Sequence, residues 1–158
     1  MKIIRDTREK DGWNFEFYDN IEITSQKMDC GDYTTDVLKD IIVIERKASV
    51  VEIANNLGKK VAKDRFYREF DRMASLKKAY IVCQFLESDV YGFPQNSGLS
   101  QAKIAMVRMN GKYLIKLMAQ IERDYDNIEV VFCNDRWAAE AFTYDTLKFW
   151  EAQNDNKK

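Results

Sequence analysis

The sequence predicts an α/β domain, a mixed β-sheet flanked by α-helices. Three patterns point to it: strand-like runs fill the first third, helical and strand-like runs alternate after it, and no apolar run exceeds strand length. At 158 residues the chain is the size of one ordinary domain. No stretch rich in Pro, Gly or Ser divides it and no repeat is present, so we expect one domain over residues 1–150 and a frayed polar tail over 151–158.

Lys2 to Asp6, apolar at Ile3 and Ile4, predicts a first strand that runs into a polar turn containing Gly12. Ile21 to Met28 predicts a second, which Gly31 breaks, and Tyr33 to Val37 a third, rich in β-formers. After the Lys39-Asp40 turn, Ile41 to Lys47 is the clearest strand because its apolar half is largely β-branched. Strands this close in sequence predict an antiparallel meander. Ser49 predicts an N-cap for a helix near Val50, with Glu52 three residues on in capping-box position. From Lys60 to Lys77, Phe66, Phe70 and Met73 recur at helical spacing, while Arg65, Arg68 and Arg72 share a different face. Ala79 to Leu86 predicts a buried strand and Glu87 to Gly98, with the chain's one proline, a loop. Lys112 to Tyr125 predicts an amphipathic helix through Leu114, Leu117, Met118 and Ile121. Ile128 to Cys133 is the last strand, and Asp135 caps a final helix through Trp150.

Composition then narrows the chemistry. The chain has no histidine, which removes Ser-His-Asp and Cys-His nucleophile systems and histidine as a general base. Cys30, Cys83 and Cys133 are odd in number and far apart, and read as core-filling thiols in a reduced intracellular compartment. There is neither a membrane span nor a signal-peptide core, so a cytoplasmic or nuclear, non-secreted location is expected. Net charge is only −1, but the cations cluster. Lys59 to Lys78 is strongly basic, and Gly98 to Ile121 carries Lys103, Arg108, Lys112 and Lys116 with no acid. Both are candidate tracks for a phosphate backbone.

Side chains alternate along a strand, so Glu45 and Lys47 project from one face and Arg46 from the other. An exposed edge strand can carry such a pair for solubility alone. Asp32, at the start of the preceding strand, lies one hairpin away and can converge on Glu45. Two converging carboxylates form the ligand set of a hard divalent ion such as Mg²⁺, for which Mn²⁺ can substitute. In a chain without histidine, that ion would activate water and neutralise phosphate charge, and the Lys47 ammonium would orient the water or stabilise the transition state. Aspartate followed by Glu-x-Lys is the pattern of restriction-enzyme-like nucleases.

Gly31-Asp32-Tyr33 followed by Glu45-Arg46-Lys47 resembles the motif of the XPF/MUS81 (ERCC4-type) structure-specific nucleases. Asp6-Thr7-Arg8-Glu9 is similar to the family's first-strand Asp-x-Arg-Glu, Arg65-Phe66 with Arg72-Met73 to its next helix, and Val130 to Phe142 to its last strand and helix. The resemblance covers nearly the whole chain. It implies a restriction-endonuclease-like fold and a Mg²⁺-dependent endonuclease acting on branched, flapped or forked DNA; a homodimer through the nuclease domain is a further candidate. The resemblance also implies catalytic roles for Asp6, Asp32, Glu45, Arg46 and Lys47 and metal binding by Asp6, Asp32 and Glu45. It puts Arg8 and Arg46 either near the scissile phosphate, Arg8 in contact with DNA, or holding the site in shape, with Arg65, Arg68, Arg72 and Lys112 as further candidates for DNA contact. Alternatives are a duplex-end exonuclease, or an inactive DNA-binding or scaffolding module of the same fold. The family usually has an acid four residues after the motif's lysine, where this chain has Val51 followed by Glu52. The family's tandem helix-hairpin-helix domain is not in this sequence.

Overall fold

A computed structural model describes residues 1–156. The elements are β1 (Lys2–Asp6), β2 (Glu22–Gln26), β3 (Tyr33–Thr35), β4 (Ile42–Lys47), α1 (Val50–Gly58), α2 (Lys60–Met73), β5 (Lys78–Cys83), α3 (Glu87–Tyr91), α4 (Gln101–Met106), α5 (Gly111–Asp124), β6 (Ile128–Phe132) and α6 (Arg136–Asp155). They build a mixed six-stranded sheet in the order β2-β1-β3-β4-β5-β6, flanked by helices. β4, β5 and β6 are parallel, β1, β3 and β4 antiparallel.

The expected meander therefore holds only for β1, β3 and β4. β2 lies outside β1 and parallel to it, Lys2 opposite Glu22. A parallel neighbour requires the chain to return to the starting edge, which takes about a dozen residues, and the segment between Asp6 and Glu22 is long enough. On the way it drops Trp13 and Phe15 into the core. Two further expectations change. The segment after Glu87 is not wholly loop but contains α3, whose first turn is secured by the Leu86 amide donating to Asp89 Oδ2. The tail over 151–158 is helical through Asp155, since Glu151 to Asp155 holds no Gly or Pro and Trp150 anchors the turn by donating from Nε1 to the Tyr80 hydroxyl. Lys157 and Lys158 lie outside the described residues.

The core lies on both faces of the sheet. One side packs Val43, Ile81 and Cys83 against Ile53, Phe66, Phe70, Met73, Leu114 and Ile121 of α1, α2 and α5. The other packs Ile3, Tyr33, Ile42, Ile44 and Val82 against Trp13, Phe15, Ala139 and Leu147 of the crossover and α6. Strand alternation explains this division: Ile42 and Ile44 fall on the α6 side and Val43 between them on the α2 side. All three cysteines are free, with Cys83 and Cys133 buried as core-filling side chains. Among the described residues no helix is long and apolar enough to cross a membrane.

Candidate active site

The site forms where β3 begins and β4 ends. Gly31 has φ +69°, a left-handed conformation in which a side chain is strained, and a Cβ there would collide with Val43 Cγ2. That turn delivers Asp32 between β1 and β4. The Asp32 amide donates to the Ile44 carbonyl at 2.7 Å, and its own carbonyl accepts from the Asp6 amide at 2.8 Å. Tyr33 pairs with Ile44, so Asp32 stands directly across from Glu45. Asp32 Oδ2 also accepts the Arg46 amide at 2.7 Å, which fixes the carboxylate over β4.

Glu45 and Lys47 are both buried, side by side on the α2 face. Lys47 Nζ donates to Glu45 Oε1 at 2.8 Å and to Glu52 Oε1 at 3.4 Å, and lies 4.7 Å from the centre of the Phe66 ring. Burial pushes the Asp32 carboxyl well above the usual carboxylate range, and the facing Glu45 charge pushes it further. Burial raises Glu45 as well, against the pull of Lys47. Burial alone would lower Lys47, but Glu45, Glu52 and Asp32 outweigh it and hold the ammonium above its ordinary value. Two carboxylates are thus held together with their mutual repulsion incompletely offset. A divalent cation relieves that kind of strain, and Mg²⁺ is usually bound by one or two carboxylates together with substrate phosphates. The donor set of Asp32 and Glu45 fits Mg²⁺.

Glu52, the residue after Val51, lies beside Lys47. It completes the cap of α1, with its amide bonded to Ser49 Oγ and its Oε2 accepting from the Ala48 amide. Its other oxygen faces Lys47. One side chain both caps the helix and steers the lysine.

The side chains of two expected members, Asp6 and Arg46, are held by bonds within the fold. The Asp6 carboxylate accepts the Arg8 amide at 2.8 Å, Arg8 Nε at 2.7 Å and the Met28 amide at 2.7 Å. Burial acts to raise its pKa, yet these bonds hold it below the usual range. Asp6 thereby ties the end of β1, whose amide donates to the Asp32 carbonyl, to the segment before Asp32. Among the described residues no group of three or more acidic, cysteine or histidine side chains is arranged to hold a metal. Arg46 points to the opposite face, as strand alternation requires. There Nε donates to Gln84 Oε1 at 2.7 Å and the guanidinium pairs with Glu9 at 3.0 Å, 5.7 Å from the Trp13 ring. These contacts hold the end of β4 in shape.

Sequence reasoning missed two residues. Glu69 of α2 accepts the Gly31 amide at 3.1 Å and adds negative charge near Glu45. Its place three after Phe66 and four before Met73 sets it beside the buried stripe, which is the signal that could have found it. Gln84, just past β5, takes both Trp13 Nε1 and Arg46 Nε on one oxygen and donates its amide to the Lys47 carbonyl. Nothing local to its sequence marks it. Arg65, Arg68 and Arg72 are exposed, as is Lys112, and Arg72 Nε donates to the Asp29 carbonyl at 2.8 Å. Arg8 is exposed as well, its guanidinium shared between Asp6 and the Met28 carbonyl.

A mixed sheet carrying an aspartate at the start of one strand and Glu-x-Lys on its antiparallel neighbour defines an α/β domain of the restriction-endonuclease-like class. The chain belongs to the ERCC4 domain family, whose model matches residues 5–145. Its fold is similar to that of XPF from Aeropyrum pernix, with TM-score 0.67 and 16% identity over 94% of this chain and 61% of that one. The same protein solved in complex with DNA gives TM-score 0.65 and 17% identity over 97% of this chain and 66% of that one. The chain thus spans roughly three fifths to two thirds of the length of these structures. No curated protein sequence matches it.

Proposed function

We propose that this chain is a Mg²⁺-dependent DNA endonuclease that hydrolyses phosphodiester bonds in branched, flapped or forked DNA. The observation that carries the reading is the convergence of Asp32 and Glu45 with the Lys47 ammonium 2.8 Å from Glu45, in a member of the ERCC4 domain family. That the neighbouring XPF structure was solved with DNA supports the choice of polymer. Asp32 and Glu45 would hold the ion, which when bound supplies a water of lowered pKa and charge neutralisation at the phosphate. Lys47, held protonated by three carboxylates, acts as a cation and hydrogen-bond donor to the attacked phosphate or the incoming water, not as a base. Glu52 and the Phe66 ring fix its reach. Arg65, Arg68 and Arg72 line the flank of α2 beside Gly31 and Asp29, where they would neutralise the backbone on the cleaved side. The reading extends to pairing of two copies through this domain, which sedimentation of the purified chain tests.

The deciding experiment is a substrate panel of forks, flaps, single strands, linear duplex and closed circles, with Mg²⁺, Mn²⁺ or chelator. Metal-dependent cutting of junctions and of circles is expected. Cutting confined to linear ends would make the chain an exonuclease. Binding to every substrate with no cleavage under any metal would make it an inactive DNA-binding module.

A further inference from the structure

Two basic stretches, far apart in the sequence, meet in the fold. Gly58, the last residue of α1, lies against the Met109 side chain, and α1 packs on α5. This contact sets Lys59, Lys60 and Lys63 beside the acid-free segment 98–121. Lys103, Arg108, Lys112 and Lys116 of that segment are all exposed, and among the described residues none of them makes an ion pair or a side-chain hydrogen bond. The first acid on α5, Glu122, is turned away to accept the Val130 amide at 2.8 Å. Exposed cations that repel one another with no acid interleaved are what a polyanion offsets. Tyr113, half-exposed, adds a stacking surface to the same face.

The position of this band is specific. α2 separates two cationic flanks: Arg65, Arg68 and Arg72 on the side of Asp29 and Gly31, and Lys60, Lys63 and Tyr67 on the side of Tyr125 and α5. The acid pair lies between them, with Phe66 of α2 under Lys47. α1 starts three residues after Lys47 and rises about 12 Å from Val50 to Gly58, so the Gly58 contact lies at the end of that helix away from Lys47. That rise is roughly four nucleotide steps along one strand.

We propose that residues 98–121 with Lys59, Lys60 and Lys63 form a second DNA-backbone track, separate from the arginine flank, that holds the duplex arm leading away from the cleaved bond. The inference rests on the nuclease reading above and gives one domain two grips on a branched substrate.

The test is equilibrium binding across a salt series with Ca²⁺ in place of Mg²⁺, comparing the wild type with Lys103→Gln/Arg108→Gln/Lys116→Gln on forks whose duplex arm is long or trimmed to about four base pairs. The substituted side chains are exposed, so an unchanged melting temperature is expected. With the long arm, the slope of log K against log salt falls by roughly 2 to 3 in the variant, at about 0.9 per lost phosphate contact. With the trimmed arm, wild type and variant bind alike. A wild-type slope in the variant on the long arm overturns the proposal and leaves the nuclease reading intact. Failure of the wild type to bind any DNA overturns that reading instead. Loss of binding in the variant to anionic lipid vesicles or polyglutamate, with DNA binding unchanged, would assign the band to another partner.

Discussion

The two faces of β4 show how one strand serves two ends. On the α2 face, Glu45 and Lys47 are buried with Asp32 opposite, and their charges are poorly balanced without an added cation. On the α6 face, Arg46 is equally buried, but Glu9, Gln84 and the Trp13 ring answer it fully. One face holds acids whose pKa burial raises, and the other holds the backbone still through well-made polar contacts. The difference follows from the partners each face meets, because the residues themselves are all charged neighbours on one chain.

The sharpest way to break the comparison is to remove a member of each face. Asp32→Ala and Lys47→Ala are expected to lower cleavage by about a thousandfold or more, equivalent to about 4 kcal/mol of transition-state stabilisation, with circular dichroism showing the fold retained. Arg46→Ala strands the partly buried Glu9 carboxylate and one Gln84 oxygen contact. It is expected to cost about 3 kcal/mol of stability, or roughly 6–12 °C in Tm for a domain of this size. A variant of Arg46 that kept its Tm and lost only catalysis would move Arg46 into the reacting group. Gly31→Ala forces a side chain into the left-handed region against Val43 and should cost about 2 kcal/mol in chemical denaturation. Cleavage should fall as well, because the same turn aims Asp32.

Asp32→Asn sharpens the contrast in the opposite direction. Because the folded pKa of Asp32 is raised, its protonated form is the one the fold favours. Any stability from this group is present at acid pH and lost as pH rises through the raised pKa. Without divalent metal, Asp32→Asn is therefore expected to raise Tm by about 2–4 °C near neutrality. The gap to wild type should shrink as pH falls toward 3.8. A Tm that drops in the variant at neutral pH would show that the acid pair is not under strain. The smallest effect is expected at Glu52. Glu52→Gln keeps an oxygen for the Ala48 amide and weakens only the hold on Lys47, so cleavage should stay within about tenfold of wild type. A loss as large as that of Asp32→Ala would make Glu52 a metal ligand in place of the acid absent at Val51.

Much of the site is legible in the sequence. The placement of Glu45 and Lys47 on one face and Arg46 on the other followed from strand alternation, and the Ser49 cap with Glu52 from capping chemistry, because both depend on neighbours a few residues away. The aromatic stripe of α2 followed from helical period. Asp32 was reachable because a hairpin brings it across from Glu45. The bond between Asp6 and the Met28 amide was not legible, because Met28 lies beyond a crossover.

The sequence by itself thus determined the α/β class, the acid, acid and lysine order of the site, and the two basic stretches, since period and spacing are local properties of a chain. Only the tertiary structure decided that β2 runs parallel at the edge, that Glu69 faces Gly31 while Asp6 turns to Arg8, and that the basic stretches join at Gly58 and Met109. Those outcomes depend on which segments a crossover and a packed core bring together. Contacts between residues tens of positions apart are set by the burial of whole faces, not by any pattern within one segment.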